Sequence, residues 1–141
     1  EIQEEGEDLM RTVEASALDR RRSGDVIRIE LDFEMPANLQ RFVVRELEAR
    51  TSLPVLVKET GVPSGPREQG FSEAAQAGFW SRLDALLPAT RAHAVTRFEA
   101  FDAEWKIASV KAQTGDLRPT EAHWGFFRSD GSAKRVAAGV R

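Results

Sequence analysis

Apolar and polar residues follow two strand patterns in the first sixty residues. From residue 26 to residue 33, Ile27, Ile29 and Leu31 alternate with charged residues, a period of two that predicts a strand with one wet face. Within the second predicted strand, residues 53–59, Val55 to Val57 form an unbroken apolar run instead, which predicts a strand buried on both faces. That second strand ends in the carboxylate of Glu59 and is followed by turn residues.

Three other segments have helical spacing. Arg20 to Arg22 end the first, Pro36 begins the second, and Ser72 is a typical N-cap for the third, which Pro88 stops. The apolar stripes are, in chain order, Leu9, Met10, Val13 and Ala17; Leu39, Phe42, Val43 and Leu47; and Ala75, Phe79, Leu83, Leu86 and Leu87. A third strand is predicted over residues 92–100.

The predicted order, helix and strand in alternation, indicates an α/β fold. We expect a small, mostly parallel three-stranded sheet with packed helices, the alternating strand at its edge, and no closed barrel. The C-terminal extension should be irregular, with a polar loop from Ala108 to Pro119 and a short strand or hairpin near Trp124. Exposed sheet edges favour self-association.

Composition narrows the function classes. The 141 residues are 41% hydrophobic and 30% charged, which is typical of a globular chain long enough for one core. No apolar run approaches the roughly 20 residues of a membrane span, and the absence of cysteine excludes thiol chemistry. His93 and His123 lack metal-ligand spacing, so neither a metal nor another cofactor is predicted. Cysteine-free composition fits cytoplasm and periplasm equally, so the location stays open.

The sequence around Glu59 resembles that of a known enzyme family. By position alone, a carboxylate at the end of a buried strand is either a turn-capping group or a group in the crevice where α/β folds place chemistry. The run from Leu53 to Gly65, LPVLVKETGVPSG, resembles the P-V-x-x-x-E-T-G-W-P-S segment of glycoside hydrolase family seventeen, the β-1,3-glucanases and glucosyltransferases. The resemblance implies a retaining mechanism with Glu59 as its nucleophile. Val62 stands where the family has Trp.

Two later motifs extend this resemblance. FEAFDAEWK, residues 98–106, is similar to the family's F-E-A-F-D-E-P-W-K, and EAHWGFF, residues 121–127, is similar to its E-A-H-W-G-L-F. The resemblance implies that six residues line the glucan-binding end: Glu99, Asp102, Trp105, Lys106, Glu121 and Trp124. Indole faces stack on sugar rings and charged groups bind hydroxyls. The alternative is that the aromatic residues are core and the charged ones form a surface ion-pair cluster.

The first fifty residues resemble a different family. EDLMRTVE, RRRSGDVIRIEL and MPANL, within residues 1–49, look like a piece of the middle domain of long bacterial polyphosphate kinases. The phosphorylated histidine and the ATP site of those kinases lie in later domains, so no catalytic residue is transferred. Arg20 to Arg22 suggest an oligomerisation or polyanion-binding module, but with a net charge of −3 we favour a solvated helix end and no nucleic-acid partner.

The two resemblances together predict a chimera that joins residues 1–50 to residues 51–141, folded as one domain. A retaining glycosidase needs a second carboxyl as acid, which family seventeen carries after an asparagine, whereas the one asparagine here, Asn38, precedes Leu39. Glu99 and Glu121 are the local substitutes. A closed barrel takes about 250 residues, and this segment supplies two of eight strand-helix units. We therefore expect a catalytically inactive domain, with residual glucan processing or binding as the alternative.

Overall fold

The computed structural model describes residues 26–33 and 35–139, and these form two compact units. The sheet unit comprises the described residues up to Thr60 together with Leu83–Thr96. The loop unit comprises Gly61–Arg82 together with the described residues from Arg97 onward. The helix predicted near residues 9–22, including Arg20 to Arg22, lies outside the described residues. Each unit is built from two separate stretches of chain, and the join at residue 50 stays a prediction.

The sheet unit contains one open sheet of three parallel strands, which confirms the predicted α/β class. In the described part of the chain these are β1 (Ile27–Glu30), β2 (Val55–Glu59) and β3 (His93–Val95), in the order β1-β2-β3. The register pairs Ile27 with Val55 and Val55 with His93. The central strand is the continuous apolar one, and the alternating strand lies at an edge, as their patterns predict.

Helix α1 (Ala37–Arg50) follows Pro36, as predicted, but its buried face differs from the expected stripe. Val43, Val44 and Leu47 are buried, whereas Phe42 is 43% exposed. Inclusion of Phe42 in the core stripe was therefore wrong. Positions 40, 43, 44 and 47 follow the i, i+3, i+4, i+7 rule and share one face, and position 42 lies outside it.

Helix α2 (Glu73–Leu86) begins after Ser72, whose Oγ accepts the Ala75 N–H at 3.1 Å, and this confirms the predicted N-cap. Its buried positions are Gln76, Trp80 and Leu83, followed by Leu87 beyond its end. Ala75, predicted to be core, is exposed, and Phe79 is only half-buried. The large indole of Trp80 sets the buried face one position further along the chain.

Helix α3 (Trp105–Thr114) replaces most of the loop predicted from Ala108 to Pro119. That expectation was wrong because the segment contains good helix formers, and its breakers come only at its end. Gly115 closes the helix in the left-handed region, with φ 80°, and its N–H donates to the Lys111 carbonyl at 2.9 Å. Short 3-10 turns follow at Pro119–Ala122 and Arg135–Gly139. The helices of the described residues are too short or too polar to span a membrane.

Candidate functional site

Glu59 lies at the carboxyl end of β2, in the sheet unit, where the sequence places it. Its side chain is 32% exposed, and its Oε1 is 3.1 Å from the Lys58 ammonium. The same ammonium donates to Glu30 Oε1 at 2.7 Å. Hydrogen bonds that Lys58 donates to Glu30 and then to Glu59 raise its pKa, so both carboxylates share one protonated lysine.

Glu30 is a neighbour of Glu59 that the motif comparison missed. The ladder pairs Glu30 with Glu59, after a register shift between Ile29 and Glu30. The pattern did contain a signal, because two predicted strands each reach a glutamate near their carboxyl ends, and parallel strands end at the same edge. A retaining hydrolysis needs one protonated carboxyl near an ionised one. With Lys58 between them, Glu30 and Glu59 form an ion triad instead.

The other six predicted site residues all lie in the loop unit, where the second and third motif segments pack together. The Glu99 N–H donates to the Trp124 carbonyl at 3.3 Å, and the Phe126 N–H donates to the Glu99 carbonyl at 2.9 Å. The Ala103 N–H donates to the Ala122 carbonyl at 3.3 Å. The two segments are therefore held side by side by backbone hydrogen bonds.

Glu99 and Lys106 form a close ion pair. The Lys106 ammonium is 2.6 Å from Glu99 Oε2 and 2.7 Å from its Oε1. It also lies 4.7 Å from the centroid of the Phe98 ring, within the range of a cation-π interaction. The two side chains are 22% and 18% exposed, so the pair is accessible at its edge.

Asp102 is a structural anchor. Its Oδ1 accepts the Gly125 N–H at 3.0 Å and the Lys134 ammonium at 2.5 Å. Lys134 also donates to Ser64 Oγ at 2.7 Å, and its side chain is only 2% exposed. Through Ser64 this network reaches the first motif segment, and through Asp102 and Gly125 it reaches the other two.

The two tryptophans of the predicted surface have opposite environments. Trp124 is 3% exposed, and its ring packs edge-on against Phe98 with centroids 6.2 Å apart. Trp105, at the first position of α3, is 68% exposed. Glu121, in the Pro119–Ala122 turn, is half-buried. Trp105 is therefore the indole with a face available for stacking on a ligand.

Backbone atoms of neighbouring segments lie very close to Gly125, in the third motif segment. A Cβ on Gly125 would lie 2.2 Å from the Asp102 nitrogen and 2.6 Å from the Phe127 carbonyl oxygen, so the position accepts only glycine. Gln76 of α2 reinforces the segment by donating to the Trp124 carbonyl at 3.2 Å and the Gly125 carbonyl at 3.3 Å. Sequence patterns alone missed Gln76 and assigned no role to Lys134, because each acts on residues far away in the chain.

Among the described residues, no group of three or more His, Asp or Glu side chains is arranged so that it could hold a metal ion. What the loop unit offers chemically is an exposed indole and an ion pair whose oxygens and nitrogen can bind hydroxyl groups. No protein-family model matches the chain, and no solved structure matches it significantly. The resemblances to glycoside hydrolase family seventeen and to polyphosphate kinases therefore stay predictions.

Proposed function

We propose that residues 51–141 derive from a β-1,3-glucan-active retaining glycosidase or transglycosylase, and that the chain binds β-1,3-glucan weakly without cleaving it. The observation that carries the proposal is Trp105. Its exposed indole offers a stacking face, and the next residue in the chain, Lys106, forms the ion pair with Glu99, so one segment supplies an apolar face and hydrogen-bonding groups. This combination is suited to a sugar ring, which has an apolar face and a rim of hydroxyls.

The Asp102, Lys134 and Ser64 network supports a binding role in a different way. It keeps the motif segments in place without occupying the exposed Trp105. A pre-organised surface loses less entropy when a ligand binds. Glu121 and the buried Trp124 would then support the surface rather than carry the main contact.

Absence of turnover follows from the lack of an acid beside Glu59. The neighbouring carboxyl, Glu30, is paired with the same Lys58 ammonium as Glu59 and is therefore not placed as a proton donor. Residual glycosidase activity, with Glu59 as nucleophile, is the alternative that the motif favours. It predicts turnover that disappears in Glu59→Gln.

Replacement of Trp105 by Ala tests the binding surface. Wild type should bind laminarihexaose with a Kd in the millimolar range, roughly 4 kcal/mol. Trp105→Ala should bind roughly two- to twelvefold more weakly, because an aromatic contact contributes about 0.5–1.5 kcal/mol beyond its buried area. Isothermal titration or ligand-observed NMR measures the change.

Leu117→Ala is the matched control, since Leu117 is a second large apolar side chain of the loop unit and is 64% exposed. The affinity of Leu117→Ala for laminarihexaose should equal that of wild type. Equal weakening by both substitutions would show that exposed apolar area, rather than the indole, accounts for binding. Unchanged affinity in Trp105→Ala would contradict the proposed surface.

A further inference from the structure

The sheet unit contains a pair between a buried histidine and a half-buried glutamate that the proposed glucan surface does not use. His93, the first residue of β3, is 2% exposed. Its Nδ1 lies 2.5 Å from Glu48 Oε1, and Glu48 belongs to the last two turns of α1. The pair therefore links a helix to an edge strand by side chains 45 residues apart in the chain.

Edge strand β3 has few other attachments. It is three residues long and pairs with β2 alone in the described sheet. The Val55 N–H donates to the Ala92 carbonyl at 2.8 Å, and the Thr96 N–H donates to the Val57 carbonyl at 2.9 Å. The Thr96 hydroxyl adds bonds to the Val57 and Lys58 carbonyls, so these attachments all lead to β2, whereas the bond to Glu48 leads to α1.

The hydrogen-bonding capacity of the imidazole is only partly used. Nδ1 lies between Glu48 Oε1 and, at 3.3 Å, the hydroxyl of Thr90 in the turn before β3. Nε2 is buried and has no hydrogen-bond partner among the described residues. An ionised Glu48 accepts the Nδ1 proton, whereas a protonated Glu48 has lost its charge and carries a donor of its own.

Charged groups around the pair come from α1. Arg45 Nη1 donates to Glu48 Oε2 at 2.7 Å, and no other charged side chain among the described residues forms an ion pair with Glu48 or His93. From β2 the partner of His93 in the ladder is Val55, which is uncharged, and Thr90 contributes a neutral hydroxyl. Glu48 is thus the group whose ionisation decides the strength of the contact.

We propose that His93 and Glu48 form a proton-operated latch that holds the start of β3 to α1 and releases it in acid. Protonation of Glu48 weakens the buried bond to Nδ1 while Nε2 still lacks a partner. The edge strand β3 then separates from β2 before β1 does. The sheet unit consequently opens from one defined edge as the pH falls.

The direction of the pH dependence follows from Glu48. Burial raises the pKa of its carboxyl, but hydrogen bonds from His93 and Arg45 outweigh burial and leave the pKa below the ordinary 4.5. A carboxyl whose pKa is lowered by folding stabilises the folded protein at pH values above its pKa in the unfolded chain. That stabilisation is lost as the pH falls through its pKa in the folded chain. The latch is therefore closed near neutral pH and opens below 4.5.

Amide hydrogen exchange of the whole chain, followed by NMR, tests the latch. The Thr96 amide reports on the pairing of β3, and the Leu31 amide, which donates to the Glu59 carbonyl at 3.0 Å, reports on β1. After correction for intrinsic exchange, the protection of Thr96 should fall several-fold relative to Leu31 between about pH 7 and about pH 3. The fall should coincide with the titration of the Glu48 carboxyl carbon.

Two glutamate substitutions on α1 provide the comparison. Glu48→Gln should lower Thr96 protection at neutral pH and remove its pH dependence. Glu46→Gln, which removes an exposed ion pair with Arg50 on the same helix, should behave as wild type. Equal loss of protection at Thr96 and Leu31 in wild type as the pH falls would overturn the proposed latch. That measurement does not depend on the folding of any variant. Wild-type pH dependence in Glu48→Gln would overturn it as well.

Discussion

The sheet unit and the loop unit reach a folded structure by different means. In the sheet unit, β1, β2 and β3 pair through a backbone ladder, and the buried side chains are mostly aliphatic, such as Val43, Val55 and Val57. In the loop unit, regular structure is limited to the helical segments, and isolated bridges at Phe101, Phe127 and Ala133 replace a sheet. The second unit therefore depends on other cross-links.

Polar side chains supply those cross-links. Lys134 joins Ser64 to Asp102, Gln76 binds the carbonyls of Trp124 and Gly125, and the Arg135 N–H donates to Glu73 Oε2 at 3.2 Å. Each contact joins residues far apart in the chain. Buried polar groups stabilise only when they are paired, so such a network is sensitive to the loss of a single member.

The difference between the two units matters for the candidate binding site. A surface at loops needs rigid support if it is to bind a ligand without a large loss of entropy. The loop unit provides that support by the hydrogen bond from the Gly125 N–H to Asp102, which is three positions before the exposed Trp105 in the chain. Glu59, by contrast, lies at the end of a regular strand, and an ion triad at an exposed edge engages it.

The largest effect is expected at the centre of the polar network. Lys134→Met should lower the free energy of unfolding by about 3–5 kcal/mol, because it leaves the Asp102 carboxylate in a mostly buried site without its cation. Urea unfolding measures the loss. Lys111→Met, on the exposed side of α3, is the control and should change stability by less than about 0.5 kcal/mol. A loss below about 1 kcal/mol in Lys134→Met would refute the importance of the network.

A comparable substitution probes the aliphatic core. Ile29→Ala in β1 should cost about 2–5 kcal/mol, since Ile29 is 2% exposed and its removal leaves a cavity. Exchange protection at Leu31 should fall with it. Leu53→Ala, at a 42% exposed position of the same unit, should cost less than about 1 kcal/mol. Equal losses at the two positions would argue against a core centred on the sheet.

Two glycines of the loop unit should respond in opposite ways. Gly125→Ala should cost about 3 kcal/mol or more, because the added Cβ would collide with backbone atoms of Asp102 and Phe127. Gly78→Ala, inside α2, should stabilise by about 1 kcal/mol, since nothing lies within 4 Å of its Cβ and alanine favours the helix. Thermal unfolding of the two variants should therefore shift in opposite directions.

Sequence patterns predicted the sheet unit better than the loop unit, and the contrast explains why. The three strands, their parallel order and the edge position of β1 follow from local periodicity, as do the starts of α1 and α2. Phe42 was misplaced because hydrophobicity does not by itself say which side of a helix faces the core. Helix α3 was missed because its polar residues resemble a loop.

In the candidate site, the motifs identified residues but not their environments. Asp102 and Lys134 are paired in the interior, and Trp124 is buried while Trp105 is exposed. These differences depend on contacts between segments that periodicity does not encode. Glu30 could have been found beside Glu59, because both approach the carboxyl ends of strands predicted to be parallel.

Laminarihexaose added to the labelled protein in one NMR tube tests whether the chain binds the glucan without cleaving it. We expect a shift of the Trp105 indole N–H signal that saturates in the millimolar range, together with anomeric signals of the hexaose that stay unchanged over days. New reducing-end signals that vanish in Glu59→Gln would show a working glycosidase site and contradict the claim. An unmoved Trp105 signal at saturating hexaose would contradict the binding surface itself.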